Sequence, residues 1–241
     1  MGVRVPPVVP LNFKEKVMNW AVTNAETLNT AVAGVLAKMT GGIALTMVIA
    51  AILTGSGVVP YLFSGIFGWI IIFSPLAASL YIAWKSSTMT PEQIKVWFVV
   101  FASLMGLSLS SLFFSYTSLS IVQALLCTTV SFGALAAWGY FTKRDLSGWG
   151  PFLFAGVIGL IVMGIINIFL ASSVFQIVLN VLAIAIFLGL TAYDMNNIRD
   201  SFWNGTSEEI ERLQWFGALS LYINFINIFV SFLQLLGNRE E

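Results

Sequence analysis

Seven long stretches of the chain are predominantly apolar, without the period-two alternation of a half-buried strand. They fall near residues 30–54, 61–84, 94–115, 118–141, 150–171, 174–194 and 213–236. Each approaches or exceeds the roughly 20 residues with which a helix crosses about 30 Å of hydrocarbon. Lipid offers the backbone no hydrogen bonds, so a spanning segment is either a helix or a strand of a closed barrel, and continuous apolar runs exclude the barrel. The pattern therefore predicts an all-α polytopic membrane protein, a bundle of seven helices.

The last stretch differs from the others. Its polar residues Ser220, Asn224, Asn227, Ser231 and Gln234 are separated by 4, 3, 4 and 3 positions, which places them on one helix face. Tyr222 falls elsewhere. At 1.5 Å per residue the seam is about 21 Å long, and such a seam belongs against protein, so this helix is expected at the centre of the bundle. Two roles fit it: side-chain glue between helices, or the lining of a narrow polar path. In the third span Gly106 and Ser110, four apart, permit close helix approach, and Asn167 of the fifth is expected to hydrogen-bond between helices.

Two kinds of connection join the spans. "GSGVVP", "SYTS" and "LASS" are uncharged, whereas the others hold Lys85, Glu92 and Lys95, then "TKRDLSG", then Arg199 through Arg212. The basic residues of the connections lie in this second set and in the N-terminal arm, so the positive-inside rule places the N-terminus in the cytoplasm. Six crossings return the chain to that side; the seventh segment either crosses, leaving Arg239 outside, or is re-entrant. In "SEEIERLQ", Glu208 and Arg212 are four apart and able to pair on a solvated helical turn leading into the last segment. Residues 1–12 are proline-rich and read as a mobile arm without the features of a signal peptide. Phe13, Val17, Trp20 and Ala21 then recur at helical spacing, as expected either of a helix lying on the membrane or of a soluble lead-in. The chain thus divides into an arm of residues 1–28, a transmembrane domain of 29–237 and a tail of 238–241.

Composition agrees with lipid as the solvent: 58% of the 241 residues are hydrophobic and 9% charged, and the mean hydropathy is +0.91. With one cysteine, Cys127, and no histidine, an intrachain disulfide, a histidine-based metal site and a histidine triad are excluded. A net charge of zero gives no basic surface for nucleic acid. An intramembrane hydrolase would need paired acids, a serine with a base, or zinc ligands, so the chain is not expected to be an enzyme and no resident cofactor is expected.

One acid is conspicuous. In "GLTAYDMNNIRD" an apolar run ends on Tyr193 and Asp194. A charged side chain at mid-bilayer costs at least about 2.5 kcal/mol and faces a partner or water. Near the end of a span Asp194 can instead reach solvent; alternatively Asn180, on nearly the same face, extends a polar stripe along this helix, and the seventh helix supplies a partner.

These segments resemble the transmembrane Bax-inhibitor-motif (lifeguard) family, especially its bacterial members. "FLGLTAYDMNNIRD" is similar to the family's sixth-helix motif and "GALSLYINFINIFVSFLQLLGN" to its last helix; "LSLSSLFFSYTSLSI" and "GYFTKRDLSGWG" are similar stretches, and the likeness runs from about residue 28 to the end. The resemblance implies a multi-pass protein of the bacterial inner membrane, with a central last helix and a pH-sensitive calcium leak. In that leak two acids, one on the sixth helix and one on the seventh, share a proton and latch the pore. Asp194 matches the first acid; the second position holds Asn224. The ion path is then expected at Asp194, Asn224, Asn227, Ser220 and Ser231, with Lys85 at the place of a basic residue that pairs with the sixth-helix acid in some members. Calcium or another cation would meet Asp194 and Asn224, but an amide brings no charge, and the like-charge repulsion behind a shared proton is missing. Gating is therefore expected to differ from that of acid-pair relatives. The resemblance also implies a second possibility, a non-conducting regulator that binds a membrane-anchored AAA protease.

Overall fold

A computed structural model describes residues 13–202 and 207–239. It is helical, in the order α1 (Phe13–Gly55), α2 (Val59–Leu62), α3 (Gly65–Lys85), α4 (Pro91–Ser115), α5 (Ser118–Phe141), α6 (Trp149–Leu170), α7 (Ser173–Ser201) and α8 (Ser207–Leu236). Seven of these are long and apolar enough to cross a membrane.

Local sequence sets the ends. Thr90 opens α4 with a reciprocal cap: its hydroxyl accepts from the Gln93 amide and its own amide donates to Gln93, with Pro91 in the first turn. Thr117 and Ser172 cap α5 and α7 through their hydroxyls alone, accepting from the Ser120 and Phe175 amides. Pro75 lies inside α3 and removes the amide that would bond Ile71. The Ser74 hydroxyl donates to that carbonyl at 2.8 Å, so no backbone acceptor is left bare in lipid.

The last helix is central. In its most apolar window 67% of residues are buried, against 11–33% in the other six spans. α8 packs on α1, α4, α5 and α7, while α3 lies outside on α4 and α6 outside on α7. Polar side chains tie it on the face opposite the seam as well. Thr46 Oγ1 donates to the Ala102 carbonyl at 2.8 Å, so the Tyr222 hydroxyl, 2.6 Å from the same oxygen, is the donor to it, and this chain of bonds joins α8, α1 and α4. Phe98 and Phe101 meet the Tyr222 ring edge to face. Gly106 does what its spacing predicts: a methyl group there would lie 2.7 Å from the Thr46 carbonyl, so α4 and α1 touch through backbone.

The structure bears on two alternatives left open by the sequence and on one expected ion pair. α8 begins beside Ser86, whose carbonyl accepts from Arg212 at 2.6 Å, and ends where Thr117 donates to Asn238 at 3.1 Å. These points are the two ends of the α3–α4 unit, so the last helix traverses the whole bundle and is not re-entrant. Arg212 takes that carbonyl rather than pairing with Glu208, and its guanidinium covers the Phe216 ring. No helix separate from the first span exists from residue 13 onward: α1 is continuous for 43 residues, because no proline or glycine interrupts it before Gly34. The side chains that would make its first turns amphipathic, the arm of residues 1–12 and the tail beyond Arg239 lie outside the described residues.

Candidate functional site

Asp194 sits on α7 where α8 presents the start of its polar face. Both bonds to it end on one carboxylate oxygen: Oδ2 accepts from Ser220 Oγ at 2.5 Å and from Asn224 Nδ2 at 2.7 Å. Asn224 is buried, and Asp194 and Ser220 are half-buried. A cavity of about 170 Å³ opens beside the acid, lined by Asn197, Ser201 and Phe202 of α7 and its flank and by Phe216, Gly217 and Ser220 of α8. The acid therefore faces a partner and a crevice together, and the helix periodicity that placed Ser220 and Asn224 one turn apart is what lets both reach one oxygen.

α7 is held at this height by its last turns, which sew the end of α5 to it. Asn196 Nδ2 donates to the Gly139 carbonyl at 3.2 Å and its Oδ1 accepts from Leu146. Arg199 donates to the carbonyls of Tyr140 at 2.9 Å and Thr142 at 2.6 Å, and to Asp200 at 2.7 Å. These groups saturate carbonyls that α5 leaves unbonded at its C-terminus. They explain why α7 continues seven residues beyond the expected 194: "MNNIRD" reads as a loop by hydropathy, but its amides and guanidinium have fixed partners. Arg199 is thereby committed away from Asp194.

The other expected residues lie elsewhere. Asn227 Nδ2 donates to the Ile223 carbonyl and Ser231 Oγ to the Asn227 carbonyl, both at 2.8 Å on their own helix. Lys85 is exposed with its Nζ 5.3 Å from the Trp84 ring centre, on a helix that packs on α4 and not on α7; no hydrogen bond or ion pair joins it to Asp194. The stripe's far end is tied by amides: Gln176 Nε2 donates to Gln234 Oε1 and Asn180 Oδ1, each at 3.1 Å, and Asn167 Nδ2 donates to Gln176 Oε1 at 2.9 Å. Asn167 thus joins α6 to α7 as expected. Gln176, the hub, was legible only as the residue four before Asn180.

Lys38 was missed, although a lysine eight residues inside the first span is an obvious signal. Its Nζ donates to Gln214 Oε1 and lies 4.8 Å from the Trp215 ring centre, and Gln214 Nε2 donates to the Ala31 carbonyl at 3.1 Å. This cation braces α1 against the first turns of α8.

Calcium as a resident ion does not fit. Six to eight oxygens are the norm, and among the described residues no three acids, cysteines or histidines cluster. Asn224 also turns its nitrogen, not its oxygen, toward Asp194.

The sequence profile of the family described as inhibitor of apoptosis-promoting Bax1 matches residues 28–241. A Caulobacter vibrioides protein is 36% identical over 225 residues, covering 91% of this chain and 88% of its own. The inner membrane protein YbhL of Escherichia coli K12 is 33% identical over 218 residues, covering 88% and 93%. A Rickettsia prowazekii protein is 36% identical over 176 residues, covering 73% and 75%. With a seven-span helical bundle and a match over nearly all of it, the chain belongs to the Bax inhibitor family of membrane proteins.

Proposed function

We propose that this protein is a cation leak of the bacterial inner membrane, with calcium as the ion, closed by the clasp between Asp194 and the polar face of α8. The carrying observation is that the half-buried Asp194 commits a single oxygen to two donors from α8, beside a crevice. An arriving cation competes with Ser220 and Asn224 for that carboxylate, and releasing them frees α7 from α8. The basic loops, by the positive-inside rule, support a cytoplasmic position for this crevice. YbhL, an inner membrane protein by name, supports the location.

One observation favours a second reading, a non-conducting regulator of a membrane-anchored AAA protease. Asn227 and Ser231 bond their own backbone, as residues do that fill a helix interface rather than line a path. Calcium entry into proteoliposomes from pH 5 to 8 separates the two. On the leak reading native protein conducts, Asp194→Asn changes the rate, and Asn224→Asp alters its pH dependence. Silence of all three in folded protein sinks the leak and leaves the regulator, to be tested by partner capture with the protease.

A further inference from the structure

The end of the bundle away from Asp194 holds a second and larger cavity, of about 570 Å³, lined by Leu112, Phe114, Ser115, Tyr116, Gln176, Gln234 and Arg239. Its polar side chains are positioned rather than loose. The chain after α8 is stitched to the α4–α5 turn: Thr117 donates to the Asn238 carbonyl at 3.1 Å, and Asn238 donates to Ser120 Oγ at 2.9 Å. Arg239 pairs with Tyr116 in an isolated antiparallel bridge, and its guanidinium lies 5.9 Å from the Tyr116 ring centre. Gly237 permits this fold-back, since a methyl group there would sit 2.7 Å from the Tyr116 ring.

Arg239 and Gln234 bring N–H donors to the wall of this cavity. Among the described residues Arg239 has no carboxylate partner, and its guanidinium has no hydrogen bond beyond its place over the Tyr116 ring. Gln234, on the cavity wall, accepts from Gln176 through its Oε1, and its amide nitrogen makes no hydrogen bond among the described residues. Gln176 is saturated: both Nε2 hydrogens and its oxygen are engaged. The described acids, Glu26, Glu92, Asp145, Asp194, Asp200 and Glu208 to Glu211, belong to the opposite half of the bundle or its loops. Phe114, half-exposed, forms the lipid-side rim.

We infer that this cavity binds a phosphate-bearing anion, held by the Arg239 fork and the Gln234 amide. A planar guanidinium on a fixed stem matches phosphate oxygens in pairs, and a neutral amide beside it adds a directed donor without a competing charge. Two sources carry this group at a membrane surface: the headgroup of an anionic phospholipid, whose chains would leave over Phe114, and free phosphate. The inference is independent of whether ions pass the bundle. Glu240 and Glu241 follow Arg239 in the sequence, so neutralising them should favour an anion at that guanidinium.

Calorimetric titration of the full-length protein in maltoside micelles, with dihexanoyl phosphatidylglycerol, dihexanoyl phosphatidylcholine and inorganic phosphate, tests this. Saturable binding of phosphatidylglycerol or of phosphate, weakened at least tenfold in Arg239→Gln and in Gln234→Met and tightened in Glu240→Gln/Glu241→Gln, upholds the site. Lys143→Gln, in a loop at the other end, should bind as native protein does. Phosphatidylglycerol binding that inorganic phosphate does not displace assigns the lipid; binding of phosphate alone assigns the free anion. Arg239→Gln binding like native protein, equal loss in Lys143→Gln, or no binding of either probe overturns the inference. Arg239 is exposed, so Arg239→Gln retains the fold, and an unchanged melting midpoint verifies it.

Discussion

Removing the two donors to Asp194, singly and together, has a consequence that follows from their sharing one oxygen. Ser220→Ala deletes the 2.5 Å bond and Asn224→Leu the 2.7 Å bond. Hydrogen bonds to a charged group contribute about 1.5–3 kcal/mol, while those between membrane helices average about 0.6 kcal/mol because the separated helices find other partners. Asp194 is half-buried beside a small crevice, so each single variant is expected to cost about 1–3 kcal/mol. For a chain of this size that lowers the melting midpoint by about 2–12 °C, at about 2–4 °C per kcal/mol. The double variant leaves the carboxylate with neither donor, so its cost exceeds the sum by a coupling of about 0.5–3 kcal/mol. The assay is the melt of intrinsic tryptophan fluorescence in mild detergent, repeated in an Asp194→Asn background, where the coupling should collapse. Additive losses, or a coupling that survives Asp194→Asn, would refute the shared-oxygen clasp.

Tyr222→Phe removes the donor to Thr46 Oγ1 and should cost about 0.5–1.5 kcal/mol; an unchanged melt means that the bond holds nothing. Gly139→Ala places a methyl group 2.3 Å from the Ala192 carbonyl, so α5 and α7 must part, at about 1–3 kcal/mol. Gly133→Ala on the same helix meets nothing within 4 Å and should be neutral or stabilising, so equal losses at both glycines would discredit the close approach. Asp145, in the loop before α6, accepts from the Ser147 amide at 2.8 Å, which holds its carboxyl below the usual carboxylate range. The contribution of a depressed acid is present above its unfolded pKa of about 3.9 and is lost as pH falls through the folded value. Protection of the Ser147 amide, its hydrogen-exchange rate taken relative to the intrinsic rate at each pH, should therefore be greatest near neutrality and fall below about pH 4, and Asp145→Asn should flatten that response.

The spans, the central last helix and the meeting of Asp194 with α8 were legible in the sequence because each rests on periodicity. Ser220 and Asn224 share a face by spacing alone, and a buried acid needs a donor. What hydropathy hid were partnerships set by tertiary geometry. The end of α7 is polar enough to read as a loop until Asn196 and Arg199 are seen to bond α5 carbonyls. Whether Asn227 and Ser231 bond outward or back to their own helix is a rotamer choice that spacing leaves open. Lys85 was placed by analogy of position, and α3, packed chiefly on α4 outside the bundle, holds it away from Asp194. Lys38 and Gln214, far apart in sequence, gain meaning only when α1 lies against α8.

The central claim is that the clasp on Asp194 keeps the path shut. Calcium uptake by proteoliposomes holding native protein or Ser220→Ala/Asn224→Leu, at matched folded protein, tests it most directly. Loss of 1.4 kcal/mol of closing energy is about tenfold in an equilibrium, so the double variant should leak at least about ten times faster than native protein. A double variant that stays folded yet leaks no faster would contradict the account.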